Sequence, residues 1–493
     1  MGVIKRQGIK HSIVRYLSVV MGAVNTIFLF PLFLGDVKLG LINFLIQTSF
    51  TFQAFSLLGI GGVLIKFFPE FKEEDNYHNG LFTFSVLWTF VGFIVLVLVC
   101  WLFKPFILAA YQDKSEYLPL IIPAIFSLSF YTLFTSYAHN FRRIVVPAIF
   151  EQAPKFVLPI LAALFFFNWI PFSWVVYGLI SFYAIMAIGM AFYIRWLGQW
   201  KWTFDFSFFD KPLLKRIFVY AGFSVLSSLG ATLAWRIDTM MVASMLDWSS
   251  TGIYTFALFI ASVIKIPADS IRFVSSSIIS ENIATNDLQN VKQIYKKSSI
   301  ILWTVGLFLL LLIWLNLDSL FAIMPKGDIF GKGKYVVLIL GIGILVDLLT
   351  SVNGEIIAYS PHYRFQFYAL LFLGGINIIA NLLLIPKFGI LGAALATASS
   401  LILFNIAKVV FIYTKYKMLP FSPKSLWVLM VTVMSYAVVS FFSFTTNPFL
   451  TIIINSALAS CLFLSTIFYL KISEDINEFA LQIWNKAKAI LRL

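Results

Sequence analysis

Two stretches start alike. Phe33-Leu34-Gly35-Asp36-Val37-Lys38-Leu39-Gly40-Leu41-Ile42-Asn43-Phe44 opens one long apolar run, and Ser244-Met245-Leu246-Asp247-Trp248-Ser249-Ser250-Thr251-Gly252-Ile253-Tyr254-Thr255-Phe256 opens another. Setting Gly40 on Gly252 gives an offset of 212 residues. A chain that starts over at a fixed offset reads as two related lobes, and the polar stretch near 196–213 is the natural joint between them.

Working outward from these starts, apolar runs long enough to cross a bilayer recur along the chain. A helical span takes about 20 mainly apolar residues. Runs of that kind lie near 12–34, 39–65, 80–103, 117–139, 144–168, 172–195, 214–236, 250–276, 299–322, 335–359, 364–385, 389–413, 425–443 and 448–470. They are numbered here as spans 1 to 14. The composition agrees: 60 % of the 493 residues are hydrophobic and 12 % are charged, against about 25 % charged in ordinary soluble domains. So few charges cannot clothe a water-facing surface. The expected class is an all-α integral membrane protein with about 14 transmembrane helices, built as two pseudo-symmetric six-helix bundles plus two extra C-terminal helices.

The expected domains are an N-terminal six-helix lobe at 1–205, a C-terminal six-helix lobe at 206–420, two additional transmembrane helices at 421–471 and an amphipathic cytoplasmic surface helix at 472–493. In that last segment Ile476, Phe479, Ile483, Trp484, Ala487 and Ile490 share one helical face, opposite acids early and bases late, a pattern suited to the helix dipole and the membrane surface. Because the repeat shifts by an even number of spans, the two lobes have parallel topology, related by an axis along the membrane normal. Two bundles facing each other leave a cleft, the architecture of alternating access.

Formal net charge is +14. In a membrane chain that balance points to cytoplasmic loops and anionic lipid rather than to nucleic acid. With the N-terminus in the cytoplasm, 24 of the 36 Lys and Arg fall on the cytoplasmic side, 7 opposite and 5 within spans. The split places both termini in the cytoplasm. The first run has no small-residue cleavage pattern and reads as a retained span. Cys100 and Cys461 lie in apolar runs, and the four histidines are scattered, so neither a disulfide framework nor a metal site is expected.

Nine ionisable residues sit well inside spans: Lys155, Arg236, Lys265, Arg272, Lys408, Asp238, Asp269, Asp347 and Glu355. Each costs about 2.5–3.5 kcal/mol at the bilayer centre. Nine facing lipid would exceed a typical net stability of about 5–15 kcal/mol, so most must face protein or a watery cavity. Span 8 is the most informative. Thr255, Ser262, Lys265, Asp269, Arg272 and Ser276 recur at helical spacing on one face, with Ile260, Val263, Ile264, Ile271 and Val274 opposite. This stripe is expected to line the cleft; a closed ion-pair ladder locking two helices is the competing explanation. Pro267 is expected to kink the span or free a carbonyl. Asp347 and Glu355 in span 10, with Asp238 and Asp269, are candidates for coupling to H⁺ or Na⁺; acting as partners of the basic residues is the alternative. Glu151 and Lys155 are spaced for an i,i+4 pair. Asn377, Asn381, Asn405 and Lys408 in spans 11 and 12 are weaker signals of the same kind.

Within the spans the count is five bases against four acids, and Arg15 and Lys66 at the cytoplasmic mouth add two more bases. Such an interior favours an anion, above all a phosphate or diphosphate head group, whose oxygens suit Arg and Lys. No catalytic residue and no resident cofactor or metal is expected.

The segment Leu384-Ile385-Pro386-Lys387-Phe388-Gly389-Ile390-Leu391-Gly392-Ala393-Ala394-Leu395-Ala396-Thr397 resembles a signature at spans 11–12 of polysaccharide exporters, the flippase branch of the multidrug/oligosaccharidyl-lipid/polysaccharide exporter superfamily. The Asp36…Gly40 and Asp247…Gly252-Ile253-Tyr254 starts are similar to that family's entries into spans 2 and 8, and the layout of spans resembles it along nearly the whole chain. In physical terms Gly389, Gly392, Ala393 and Ala396 form a small-residue face for close helix contact, and Pro386 is expected to end the preceding helix.

The resemblance implies a transporter that flips an undecaprenyl-diphosphate-linked oligosaccharide from the cytoplasmic to the periplasmic leaflet by alternating access, for polysaccharide, lipopolysaccharide or O-antigen assembly. It implies a cationic substrate path, which Arg15, Lys66, Arg236, Lys265 and Arg272 supply here by placement alone. The implied setting is a bacterial inner membrane, with a lipid-linked anionic oligosaccharide, membrane lipids and other polysaccharide-assembly membrane proteins as partners. Alternatives of the same fold are a cation-coupled multidrug antiporter, which would favour an acidic cleft, and a lipid II flippase. A membrane glycosyltransferase or polymerase would need a larger extracytoplasmic loop or an acidic metal motif than the first loop, Gly35-Asp36-Val37-Lys38, provides.

Overall fold

The computed structural model describes residues 18–71, 78–111, 116–141, 143, 145–441 and 447–472. Every regular element among the described residues is helical. Eleven helices are long and apolar enough to cross a membrane, or twelve when the pair Gly35–Ser56 and Ile60–Phe71, bent by 43°, is one span. The chain is therefore a multi-pass membrane protein. Two of the fourteen apolar runs stand outside that count. The described part of span 1 is the short apolar helix Ser18–Phe33, and span 7 lies within the 35-residue helix Lys211–Met245. The surface helix expected at 472–493 lies, Ile472 apart, outside the described residues.

By packing, the chain forms two compact units, Met1–Gly252 and Ile253–Leu493. The repeat joint expected at 205/206 marks where the sequence starts over; the packing division at Gly252 marks where contacts thin out. In the first unit Lys211–Met245 packs on Gly35–Ser56 and Ile60–Phe71, and Phe172–Trp196 packs on Ile121–His139. Leu41, Phe44, Leu45, Val176 and Ala243 are buried together there.

In the second unit the turn between spans 11 and 12 carries the glycine-rich signature. Pro386 does not end the helix: Arg364–Phe388 continues through it and stops at Gly389. Proline removes one N–H from the helix ladder without having to stop it when the chain turns within a few residues. Gly389 makes that turn, with φ 58 and ψ −135, a backbone region that side chains with a Cβ rarely enter. Ile390–Tyr416 then packs along Arg364–Phe388 and on Lys334–Leu349, with Ala393, Ala394 and Ala396 fully buried. The two appended helices, Pro423–Phe441 and Pro448–Tyr469, pack on Leu288–Ile323 and on each other. Trp303 Nε1 donates to the Ser425 carbonyl at 2.9 Å, and Asn316 Nδ2 to Ser456 Oγ at 3.0 Å.

Pro267 neither ends its helix nor frees the Val263 carbonyl, which accepts from the Ile266 N–H; the helix changes pitch instead. Trp248–Ser262 tightens into a 3-10 turn at Val263–Lys265, and the helix resumes as Ile266–Ala284 with the proline in its first turn. A proline there forfeits a donor that would be unpaired in any case.

Candidate functional site

Span 10 is broken. Lys334–Leu349 ends, the chain turns through Thr350, Ser351 and Val352, and a second helix runs Asn353–Tyr359. Ser351 has φ 51. Thr, Ser, Asn and Gly cluster at 350–354, and these residues bond their own backbone in non-helical conformations, which weakens a helix. A break leaves carbonyls without helical donors, so the protein must supply others.

Arg272 supplies one for Ser351 and adds to the donors at Asp347, whose carbonyl also accepts from the Ser351 N–H and Thr350 Oγ1, each at 3.1 Å. Its Nε donates to the Ser351 carbonyl at 3.2 Å, and its Nη2 to the Asp347 carbonyl at 3.3 Å and to Asp347 Oδ2 at 2.9 Å. The guanidinium thus caps the negative end of the first half-helix and pairs with a carboxylate on the same turn. The other carboxylate oxygen, Oδ1, accepts from Asn405 Nδ2 at 3.2 Å. Asn405 Oδ1 in turn accepts from Thr350 Oγ1 at 2.9 Å and from Asn353 Nδ2 at 3.0 Å. From Leu288–Ile323, Ser299 Oγ donates to the Leu349 carbonyl at 2.6 Å, and Ser298 Oγ accepts from Ser351 Oγ at 2.7 Å. Spans 8, 9 and 12 therefore all hold the break.

Further charges gather around this ion pair. Lys265 lies within electrostatic reach of Asp347, Arg272 and Asp269. Glu355 interacts with Arg272, Lys408 and Asp347. Lys408 is buried, with its ammonium 3.9 Å from the Phe404 ring centre. Counted at ordinary charges, Lys265, Arg272 and Lys408 oppose Asp347 and Glu355 in the protein interior, and the exposed Asp269 brings the whole group to balance. Arg272 keeps 18 % of its side chain exposed.

The span 8 stripe is not uniform. Thr255 is buried, Lys265, Arg272 and Ser276 are half-buried, and Ser262 and Asp269 are exposed. Asp269, though exposed, lies within electrostatic reach of both Lys265 and Arg272. Lys408 and Asn405 were legible only as polar residues in an apolar span. Their i,i+3 spacing on span 12 was the available signal, but it names no partner until the helix is docked.

The remaining candidates lie in the first unit. Arg236 Nη1 donates to Gln47 Oε1, and its guanidinium lies 5.0 Å from the Phe50 ring centre. Asp238 is buried two residues on. Lys66 is exposed, with its ammonium 4.1 Å from the Tyr220 ring centre, near the exposed Arg216–Glu70 pair at 2.7 Å. Lys155 donates to Ser18 Oγ at 3.4 Å, just beyond a break at Ala153, and accepts Asn25 Nδ2 on its carbonyl at 2.6 Å. Arg15 lies outside the described residues. Among the described residues no three His, Cys, Asp or Glu side chains gather as metal ligands.

Residues 4–272 match a family described as "Polysaccharide biosynthesis protein", and residues 224–383 match the MatE family. No curated protein sequence matches the chain. Among solved structures, the chain is similar to the lipid II flippase MurJ in an inward closed conformation, with a TM-score of 0.73 at 17 % identity over 94 % of this chain and 99 % of that one. It is also similar to an inward-facing multidrug resistance MATE family transporter of the MOP superfamily, with a TM-score of 0.62 at 11 % identity over 81 % and 94 % of the two chains. A MOP superfamily transporter from Pyrococcus furiosus, whose binding pocket has reverse polarity, gives 0.52 at 11 % identity over 84 % and 95 %. At these identities the likeness is one of fold.

Proposed function

The chain belongs to the polysaccharide biosynthesis protein family, within the MOP exporter superfamily of membrane transporters, and on that premise we propose that it flips an undecaprenyl-diphosphate-linked oligosaccharide from the cytoplasmic to the periplasmic leaflet by alternating access. The observation that carries this reading is the cluster at the span 10 break. Three cations face two interior carboxylates, with Asp269 exposed to one side, and the Arg272 guanidinium at the centre uses Nε and Nη2 for the protein. A guanidinium edge with spare donors, beside two lysines in a partly desolvated setting, suits a diphosphate. A cationic drug would be repelled by the same charges.

In this reading Arg272 and Lys265 receive the diphosphate, with Lys66 and Arg236 of the first unit, and Arg15, as further basic positions along the path. The polyprenyl tail remains in lipid throughout. Asp347 and Glu355 are the proposed points of coupling to H⁺ or Na⁺. Both termini are cytoplasmic in a bacterial inner membrane, and the glycan passes to polysaccharide-assembly proteins beyond it. Movement of lipid II is the neighbouring reading, favoured by the fold likeness to MurJ; it shares the diphosphate and differs in the glycan.

The test is export of surface polysaccharide in cells whose own gene is deleted. Lys265→Ala with Arg272→Ala is expected to abolish export per molecule of protein in the membrane, the level being measured because loss of Arg272 lowers it; export per molecule at the wild-type value would remove both residues from the path. Rescue of a lipid II flippase deletion by this chain, with no effect on surface polysaccharide, would favour the neighbouring reading.

A further inference from the structure

One buried cation is left over at the break. Lys408 sits one turn beyond Asn405 on Ile390–Tyr416 and is 4 % exposed. Among the described residues its ammonium makes no hydrogen bond or ion pair; its close contact is the face of Phe404 at 3.9 Å. Three N–H donors without an oxygen are costly in a buried place. A ring face offsets only part of that cost. The charged groups facing Lys408 are Asp347, Arg272, Glu355 and Lys265.

Asp347 is already tied to the helix that carries this lysine. Its Oδ1 accepts from Asn405, three residues before Lys408, while its Oδ2 accepts from Arg272 on span 8. The carboxylate is therefore bonded to Arg272 on one helix and, through Asn405, to the helix that carries Lys408, and it pairs with only one of the two cations. If an anion took Arg272 and nothing else changed, two anions would share one guanidinium, and a buried carboxylate would lose its counter-charge.

We infer that Lys408 is the reserve counter-ion of Asp347: a diphosphate head group that takes Arg272 displaces the carboxylate, which passes to Lys408. Each anion then has its own cation. The same exchange withdraws Arg272 from the Ser351 and Asp347 carbonyls, so the clamp on the span 10 break opens when the head group arrives. Lys408 is a positioning residue here, acting on the substrate through Asp347. This inference rests on the diphosphate reading of the substrate given above.

The test titrates inorganic pyrophosphate into the full-length protein in detergent micelles by calorimetry. Wild type is expected to bind, and Arg272→Met to lose binding. Lys408→Met is expected to bind about tenfold or more weakly, because the displaced carboxylate has no partner. Asp347→Asn is expected to bind about tenfold more tightly, because the internal competitor is gone. The double variant Lys408→Met with Asp347→Asn is expected to recover at least wild-type affinity, a rescue that a merely packing lysine would not give. Wild-type affinity in Lys408→Met overturns the exchange while leaving the diphosphate reading standing. Equal affinity in wild type and Arg272→Met overturns the diphosphate reading itself. Should Lys408→Met not accumulate, Asp347→Asn decides alone: unchanged affinity overturns the exchange.

Discussion

Gly40 and Gly252 are each pressed against the other's helix. A Cβ on Gly40 would enter the Trp248 carbonyl, and a Cβ on Gly252 would enter the Asp36 carbonyl. Beside them Ser249 Oγ donates to Asp36 Oδ2, and Asp247 Oδ1 caps its own helix by accepting from the Ser250 N–H at 2.7 Å. The two residues that align in the repeat therefore touch in space, within the first unit. Small residues let helices approach without lipid between them.

Gly252→Val is thus expected to destabilise the protein. Overpacking a close contact costs about 1–3 kcal/mol, and here the obstacle is backbone, which cannot rotate away. The measurement is the thermal midpoint of the purified protein, with membrane level as a second readout. A midpoint equal to wild type would show that the helices separate at no cost.

Removing Arg272 alone is expected to do more than silence transport. It strands Asp347 in a buried place and takes the side-chain donor from the Ser351 carbonyl. Breaking a buried pair from one side costs about 3–5 kcal/mol. Arg272→Met should therefore lower the membrane level, and Arg272→Met with Asp347→Asn should restore much of it, because both charges leave together. Immunoblots of membranes read this directly. Equal levels for the single and double variants would show that the pair is not what holds the break.

Asn405→Leu removes the acceptor for Thr350 and Asn353 and the donor to Asp347. Leaving such groups unmet costs about 1–3 kcal/mol each. A loss of thermal stability larger than that of Gly252→Val is expected. A loss under about 0.5 kcal/mol, the size of an ordinary surface change, would contradict the network.

Glu70→Ala is the control. Its partner Arg216 and Glu70 itself are largely exposed, and exposed ion pairs contribute about 0–1 kcal/mol. Stability and export should both stay near wild type.

Neutralising the acids tests the coupling proposal. Glu355→Gln and Asp347→Asn are each expected to blunt the dependence of transport on an imposed H⁺ or Na⁺ gradient in proteoliposomes. Full dependence in both variants would make these acids structural.

Much of the fold was legible because the bilayer imposes it. Apolar runs of membrane length, loops rich in Lys and Arg, and the paired starts at Gly40 and Gly252 are written in sequence. Helix breaks were less legible. Pro267 follows a change of pitch in a helix that continues, and Pro386 precedes a helix end that comes three residues later, because Gly389 with positive φ sets the turn. The break at Ser351 had no proline to mark it. The site was legible in its charges and not in its pairings. Arg272 and Asp347 were visible as costly residues, but an ion pair between spans 8 and 10 depends on how each helix is rotated, and hydropathy does not carry that. Lys408 is a weak signal in sequence for the same reason: its proximity to Asp347 arises from tertiary docking, not from its neighbours in sequence.

The most direct test of the central claim is head-group flipping in proteoliposomes loaded with a labelled undecaprenyl-diphosphate oligosaccharide, comparing wild type with Arg272→Met/Asp347→Asn, the pair-neutral variant expected to fold. The account predicts rapid movement of the label across the bilayer with wild type and none above protein-free vesicles with the variant. Equal rates from the two proteins would contradict it.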